Sequence, residues 1–535
     1  MPHPSLIEQI GQMIVVRASG HWFDQQIRYP IWEATAAQLE DWLSRLNVGG
    51  VILLGGTAVE LAVRSQQLQA WAKTPLLLAA DIEEGVGHRF PGATWFPPPM
   101  TLSAIPDPQF AQNYARQMGK ITAQEAVALG LNWLLGPVVD VNNNPENPVI
   151  NVRAFGQTRE QVEALTSAFI AGCQEYPILT TAKHFPGHGD TAMDSHITLP
   201  VLPHSAERLA ELELPPFQRA IAAGVDAVMT AHLLIPAWDT ESPATLSGPI
   251  LTGQLRHKLG FEGLIVTDAL VMAGVAQFAA AEEVCIRAVE AGADILLMPP
   301  HPEIALAGIL RAVEGGRITP SRIQESWQRI QRAKEKLGLF SPPKAQGAGI
   351  SLDLSLVATP EATATVEEIL RESMQWGGDL PYNVPPIPHG GLNLLLVGDR
   401  FKCQDILTEQ APAIVAPRRL GYSPYCVDQE LLSTFSCPED IPLILQVFIR
   451  GNPFRGHAGL TPKIEELLKR LLRNQQIKAL ALYGSPYLLD WFHHHQPSDL
   501  PWVFSYGQMP LAQGLACNIL LSAKASVGQE IQAFI

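Results

Sequence analysis

Eight short apolar runs between residues 10 and 300 set the tightest limit on what this chain can fold into. They are Met13–Ala18, Val48–Leu54, Pro75–Asp81, Trp133–Val141, Leu179–Phe185, Ala227–Leu233, Gly263–Ala269 and Ala293–Pro299. Each is continuous, not alternating, which is the pattern of parallel strands covered on both faces. Segments of helix length lie between several of them, such as Pro108–Leu129 and Arg159–Cys173. Eight strands with intervening helices over about 300 residues is the arithmetic of a (β/α)8 TIM-type barrel. An open doubly wound sheet is the alternative this pattern leaves.

The barrel accounts for residues 1–340 of a 535-residue chain. A helical stretch, Ser321–Leu337, closes it at Gly338, and the Pro/Gly/Ala/Ser-rich segment 341–360 reads as a linker. Strand-like runs return at Leu392–Val397, Ile441–Ile449, Ala479–Tyr483 and Trp502–Ser505, with a helical pattern at Pro462–Leu472. Residues 361–535 therefore read as a C-terminal α/β sandwich domain. The tract His493-His494-His495 reads as a solvated loop.

Charge and cysteine usage narrow the function. The net charge of −15 disfavours nucleic acid or an anionic membrane as partner, since both require a basic face. Six cysteines, Cys173, Cys285, Cys403, Cys426, Cys437 and Cys517, form no C-x-x-C pair, so they read as buried thiols in a reducing compartment. No apolar run of about 18 residues occurs and no basic leader opens the chain, so no membrane span is expected. The expectation is a soluble, cytoplasmic monomer that uses no cofactor.

In such a barrel, function gathers at the C-terminal ends of the strands. Those positions hold Asp81, Asp140, Lys183 with His184, His232 and Asp268. The densest segment is Lys183-His184-Phe185-Pro186-Gly187-His188-Gly189-Asp190, followed by Asp194-Ser195-His196. Its His and Asp residues could ligate a metal. Pro186 and Gly187 break any helical H-x-x-x-H pair, however, and Lys183 repels a cation, so no metal is expected. Asp194 and His196 stand two apart, and in an extended loop both can point the same way. A carboxylate on an imidazole supports proton transfer near neutral pH, or the pair simply staples the loop. Asp268 ends its run as a helix cap, a nucleophile or a stabiliser of positive charge.

Taken together these motifs resemble glycoside hydrolase family 3, in its bacterial β-N-acetylglucosaminidase branch and two-domain form. The resemblance rests on Lys183 to Gly189 with Asp194-Ser195-His196, on Ile7-Glu8-Gln9-Ile10-Gly11-Gln12-Met13, and on Gly49-Gly50-Val51-Ile52-Leu53. It continues in Asn151-Val152-Arg153-Ala154-Phe155-Gly156, Thr267-Asp268 with Met272, and Ala291-Gly292-Ala293-Asp294. It covers about residues 5–340, with weaker motifs beyond. The resemblance implies that Asp268 is the nucleophile, His196 the general acid and base, and Asp194 its orienting partner. It also implies that Asp81, Arg89, Arg153, Lys183 and His184 bind the sugar.

One segment departs from the family pattern Asp-x-Glu-Gly-Gly-Arg-x-x-Arg. It reads Asp81-Ile82-Glu83-Glu84-Gly85-Val86-Gly87-His88-Arg89, so Glu84 replaces a glycine and Val86 an arginine. The activity implied is retaining hydrolysis of terminal β-linked N-acetylglucosamine from muropeptide or chitin-type oligosaccharides. The alternatives are a β-glucosidase or β-xylosidase of the same family, and a sugar-binding relative without turnover.

Overall fold

Each of the eight apolar runs contains a strand. These are β1 Ile14–Ser19, β2 Gly50–Leu54, β3 Leu77–Ala80, β4 Trp133–Leu134, β5 Thr181–Phe185, β6 Ala227–Thr230, β7 Leu264–Val266 and β8 Leu296–Leu297. In the computed structural model, residues 4–195, 197–340, 353–379, 387, 390–400, 403–435, 441–451, 460–473, 476–495, 497 and 499–521 are described. His196, Cys437 and residues 341–352 of the expected linker lie outside them. The chain divides into one unit of Met1–Phe96, Pro108–Asn144 and Arg153–Thr365, and another of Pro97–Asp107, Pro145–Val152 and Val366–Ile535.

In the first unit all strand pairings are parallel, in a five-stranded sheet ordered β4-β3-β2-β1-β8 and a three-stranded sheet β5-β6-β7. Single parallel bridges link the two: Trp133 to Leu179, Val138 to Lys183, and Val266 to Ile295. The result is a curled parallel array whose strands are buried almost throughout, as the unbroken apolar runs require. The Trp133 indole donates to the Thr181 hydroxyl at 2.8 Å, satisfying a polar group at the junction of the two sheets.

The helices between strands carry explicit start signals. Thr57 with Glu60 and Thr158 with Gln161 form capping boxes at the heads of Ala58–Trp71 and Arg159–Cys173. Each such cap contributes about 1 kcal/mol by satisfying orphan N–H groups. The observed helices Pro108–Ala128, Arg159–Cys173 and Pro320–Lys336 match the sequence expectation within a residue at each end.

The second unit holds a six-stranded sheet, ordered β11-β10-β12-β13-β14-β9. Its strands are β9 Gln375–Gly377, β10 Gly391–Val397, β11 Tyr422–Val427, β12 Leu443–Ile449, β13 Ile477–Gly484 and β14 Trp502–Ser505. Only β9 runs antiparallel, against β14. The histidine tract is a correction: it ends the helix Pro486–His493. There His494 and His495 place Nδ1 against the carbonyls of Asp490 and Trp491 at 2.6 and 2.7 Å, and His495 stacks on Trp491. No helix among the described residues is long and apolar enough to cross a membrane.

Candidate active site

Parallel strands place their C-terminal ends together, and the site is built there. Lys183 lies within β5 with its side chain buried and donates to Asp81 at 2.8 Å and Glu83 at 2.6 Å. Asp81 and Glu83 both follow β3, two residues apart in the exit from that strand. Arg153, from the segment between β4 and the helix Arg159–Cys173, forms a two-pronged pair with Glu83, at 2.8 Å through both nitrogens. Two carboxylates thus meet two cations with little water between them.

The charges set one another's protonation. Burial works against ionised Glu83, yet the charges and hydrogen bonds of Arg153 and Lys183 hold its carboxyl well below the usual range. Burial also opposes charged Lys183, and the carboxylates of Asp81 and Glu83 outweigh it and raise its pKa. Glu83 and Lys183 are therefore both charged at neutral pH.

Beside this network, Asp140 anchors the loop that follows β5. Its carboxylate accepts from the backbone N–H of His184 at 3.1 Å and of His188 at 2.7 Å, and lies 2.8 Å from His184 Nδ1. Against its burial, the neighbouring His184 lowers the Asp140 pKa. An ionised Asp140 can only accept, so the proton sits on Nδ1 of His184 and Nε2 is left for a ligand. Gly189 permits the tight docking of this loop: a Cβ there would meet the Val141 carbonyl at 1.8 Å. The Lys183–His184 peptide is cis, and the register with β6 shifts between Lys183 and Phe185.

His188 is buried, with Nε2 2.9 Å from the Ser195 hydroxyl and Nδ1 2.9 Å from that of Thr191. Burial pushes its pKa down to about 4, against the opposing pull of Asp140 and Asp268. That pull also places Asp268 in the same electrostatic neighbourhood. Between about pH 6.5 and pH 4 the unfolded chain binds a proton at this position that the folded chain does not. Stability is therefore expected to fall as pH drops through that window, by about 3 kcal/mol. Urea denaturation at pH 7.5 and pH 4.5 measures it, and His188→Gln should flatten the dependence.

Asp268 lies two residues past β7, half-buried, and accepts the N–H of Ala269 at 2.7 Å. Its segment is held from both sides. Thr267 donates its N–H to Ile295 and accepts from Leu297, while His232 Nε2 lies 3.1 Å from the Ala269 carbonyl. A carbonyl requires the proton on that Nε2, and Nδ1 lies 2.8 Å from the Thr245 hydroxyl, which donates to the Ala231 carbonyl at 3.0 Å. His232 thereby positions the turn that carries Asp268.

Asp194 is buried, and its backbone carbonyl accepts from Ile197 and Thr198; its expected partner His196 lies outside the described residues. Arg89 is exposed, donates from Nε to the Asp81 carbonyl at 3.1 Å, and joins no ion pair among the described residues. The departures Glu84 and Val86 are both buried, and Glu84 accepts from the Trp95 indole at 3.2 Å. Glu83 is the residue that sequence reasoning missed. Its spacing from Asp81 was the available signal, since residues two apart in an extended segment face the same side.

One cluster resembles a metal site. Ligand atoms of Asp190, His204 and Glu213 lie within 4.8 Å of one another. Arg208 already fills its electrostatic role, 2.9 Å from Glu213 and 3.5 Å from Asp190, while His204 Nε2 lies 2.8 Å from Asp190. The cluster staples the loop after β5 to the helices that follow it.

The sequence matches the Glycosyl hydrolase family 3 N terminal domain over residues 5–333 and the Bacterial Glycosyl hydrolase family 3 C-terminal domain over residues 388–522. It is similar to a beta-N-acetylglucosaminidase/beta-glucosidase of Cellulomonas fimi, 32% identical over 62% of this chain and 59% of that protein. A beta-hexosaminidase A of Pseudoalteromonas piscicida is 34% identical over 56% of this chain and 55% of its own length. The chain thus spans little more than half the length of these two relatives. A glycoside hydrolase family 3 beta-N-acetylglucosaminidase structure from Paenibacillus sp. str. FPU-7 superposes over 97% of this chain and 98% of its own, at 30% identity and a TM-score of 0.76. With the family pattern extending across both units, the chain belongs to glycosyl hydrolase family 3.

Proposed function

We propose that the protein is a retaining exo-β-N-acetylglucosaminidase that removes terminal β-linked N-acetylglucosamine from muropeptide or chitin-type oligosaccharides. The observation that carries this reading is the charged quartet Lys183–Asp81–Glu83–Arg153, with Lys183 and Glu83 buried, set among the same strand ends as Asp268. A charged, pre-formed network of this kind offers a sugar several hydroxyl partners in fixed positions. Lys183, Asp81, Arg153 and His184 bind the terminal sugar, with Arg89 at the exposed edge.

Cleavage develops positive charge at the anomeric carbon, and a second group must protonate the departing oxygen. Asp268 captures that carbon as a glycosyl ester. His196, oriented by Asp194, gives its proton to the leaving oxygen and then takes one from the attacking water. Both groups belong to the barrel part of the chain, so the C-terminal part supplies no catalytic residue.

The same reading takes the eight parallel strands as a closed (β/α)8 barrel, a closure supported by the three isolated bridges. It also divides the chain into a barrel of residues 1–340, a linker of 341–360 and an α/β sandwich of 361–535. The described cysteines are all free, which supports a cytoplasmic location.

A β-glucosidase is the second reading, favoured by the double name of the Cellulomonas fimi relative. Aryl β-glycosides of N-acetylglucosamine, glucose and xylose separate the possibilities. The expected result is a kcat/KM at least roughly tenfold higher for the N-acetylglucosaminide, the discrimination available to a site built to bond one extra group. A faster glucoside selects the second reading. Binding of all three sugars without turnover selects a non-catalytic relative.

A further inference from the structure

Exposed large apolar side chains are scattered singly over most of the described surface, which is ordinary. One stretch differs. Trp22, Phe23, Tyr29, Ile31 and Trp32 are all exposed within eleven residues, at 37, 61, 51, 89 and 37%. Leaving so many large apolar side chains of one segment in water forgoes burial free energy and marks an interaction surface.

Position says which interaction. The stretch follows β1, and β1 runs parallel to its neighbours, so the patch emerges at the same end of the strands as Asp81, Lys183 and Asp268. Its root lies against the site's own segment. Gly20 donates to the Leu54 carbonyl at 3.1 Å, and a Cβ on Gly20 would stand 3.0 Å from the ring of Phe90, the residue after Arg89.

The patch is also built, not loose. Arg17 pairs with Glu33 at 2.7 Å, both largely buried, and the other oxygen of Glu33 accepts the N–H of Tyr29 at 3.3 Å. Asp24 accepts the N–H of Ala36 at 3.0 Å, closing the far end of the loop. The Arg17 guanidinium sits 5.1 Å from the Tyr29 ring centre and 5.6 Å from that of Trp32. The two rings stack at 5.8 Å with 25° between their planes. The guanidinium lies against both rings and, with the stack, fixes the pair in place.

We propose that Tyr29 and Trp32 form a stacking platform for a sugar ring on the aglycone side of the scissile bond. The chain's preferred substrate is then an oligosaccharide with at least one pyranose beyond the bond that is cut. A pyranose offers a face of C–H groups and a rim of hydroxyls, which suits a fixed, partly exposed aromatic pair with polar groups around it. The terminal sugar belongs to the charged quartet, so the exposed platform takes the outward units. This inference rests on the glycosidase reading above for its orientation.

The test uses the full chain with Tyr29→Ala and Trp32→Ala, triacetylchitotriose as substrate, and N-acetylglucosamine as a competitive inhibitor that fills only the terminal subsite. The expected result is a KM for the trisaccharide raised roughly threefold to tenfold, the size of one aromatic contact. kcat and the inhibition constant for the monosaccharide should be unchanged, because stacking is made equally in ground and transition states. Trisaccharide binding followed by tryptophan fluorescence should weaken in parallel, and that readout does not depend on turnover. An unchanged trisaccharide affinity overturns the platform. Equal losses for trisaccharide and monosaccharide overturn it, since the loop then merely supports the terminal site. A shift of the variants' elution volume also overturns it, making the patch a contact between copies of the chain. If the wild type cleaves no glycoside yet binds the trisaccharide through Trp32, the glycosidase reading fails and the platform stands.

Discussion

Asp268→Ala is expected to lower kcat for an aryl N-acetylglucosaminide by roughly 10⁴- to 10⁶-fold, the range over which deleting one member of a catalytic unit is felt. The fold should survive. Asp268 is half-buried and sits beyond the end of β7, while the backbone around it is held by Thr267 and His232. A substitution outside the packed core typically changes stability by less than about 1 kcal/mol. The cause of the rate loss is chemical: without a carboxylate at the anomeric carbon, the developing positive charge meets neither a stabiliser nor a covalent partner. Two further observations separate a nucleophile from a mere electrostatic aid. An activated fluorosugar that accumulates the intermediate should label Asp268 in the wild type. In the alanine variant, azide entering the vacated space should restore turnover and give the product of inverted configuration. Near-normal hydrolysis by the variant, or a label on another carboxylate, would remove Asp268 from the role.

How much of this was legible beforehand depends on the range of the interaction concerned. The parallel strands were legible because burial on both faces writes an unbroken apolar run into local sequence, and all eight runs held strands. The edge strands of the second sheet were not. β11 has alternating exposure and carries Pro424, and β9 is three residues long with two of them exposed. Both belong to sheet edges, where packing demands little of the sequence. The site shows the same division. Lys183, His184 and Asp268 stand at strand ends and could be read by position. Glu83 could not, because its partners Arg153 and Lys183 lie 70 and 100 residues further along the chain, and the one local signal, its spacing from Asp81, gives it a side to face but no partner. The same holds for Asp140, visible as a strand-end carboxylate but without the assignment that its bonds to His184 and His188 supply.

Glu83 accordingly carries the second large expected effect. Glu83→Gln keeps the size of the side chain and removes its charge, leaving Lys183 and Arg153 close together with Asp81 as the remaining carboxylate of the quartet. Removing one partner of a buried ion pair costs about 3–5 kcal/mol, because a charge stays buried without compensation. The variant should therefore unfold at lower denaturant concentration with the same slope, in a urea titration at pH 7.5. The effect on activity follows from geometry. Arg153 is fixed by a two-pronged pair with Glu83, and Lys183 is fixed between Glu83 and Asp81. With the common anchor gone, both side chains repel and shift, and a displacement of about 1 Å in a positioning group can cost about 10²-fold in kcat/KM. Because Glu83 acts through its neighbours, its signature differs from that of a group touching the sugar. Glu83→Asp, which restores the charge at shorter reach, should recover most of the lost stability but only part of the activity. If Glu83→Gln matches the wild type in both stability and kcat/KM, the quartet is not the scaffold of the sugar site. Its four charges would then be solvated well enough to stand alone.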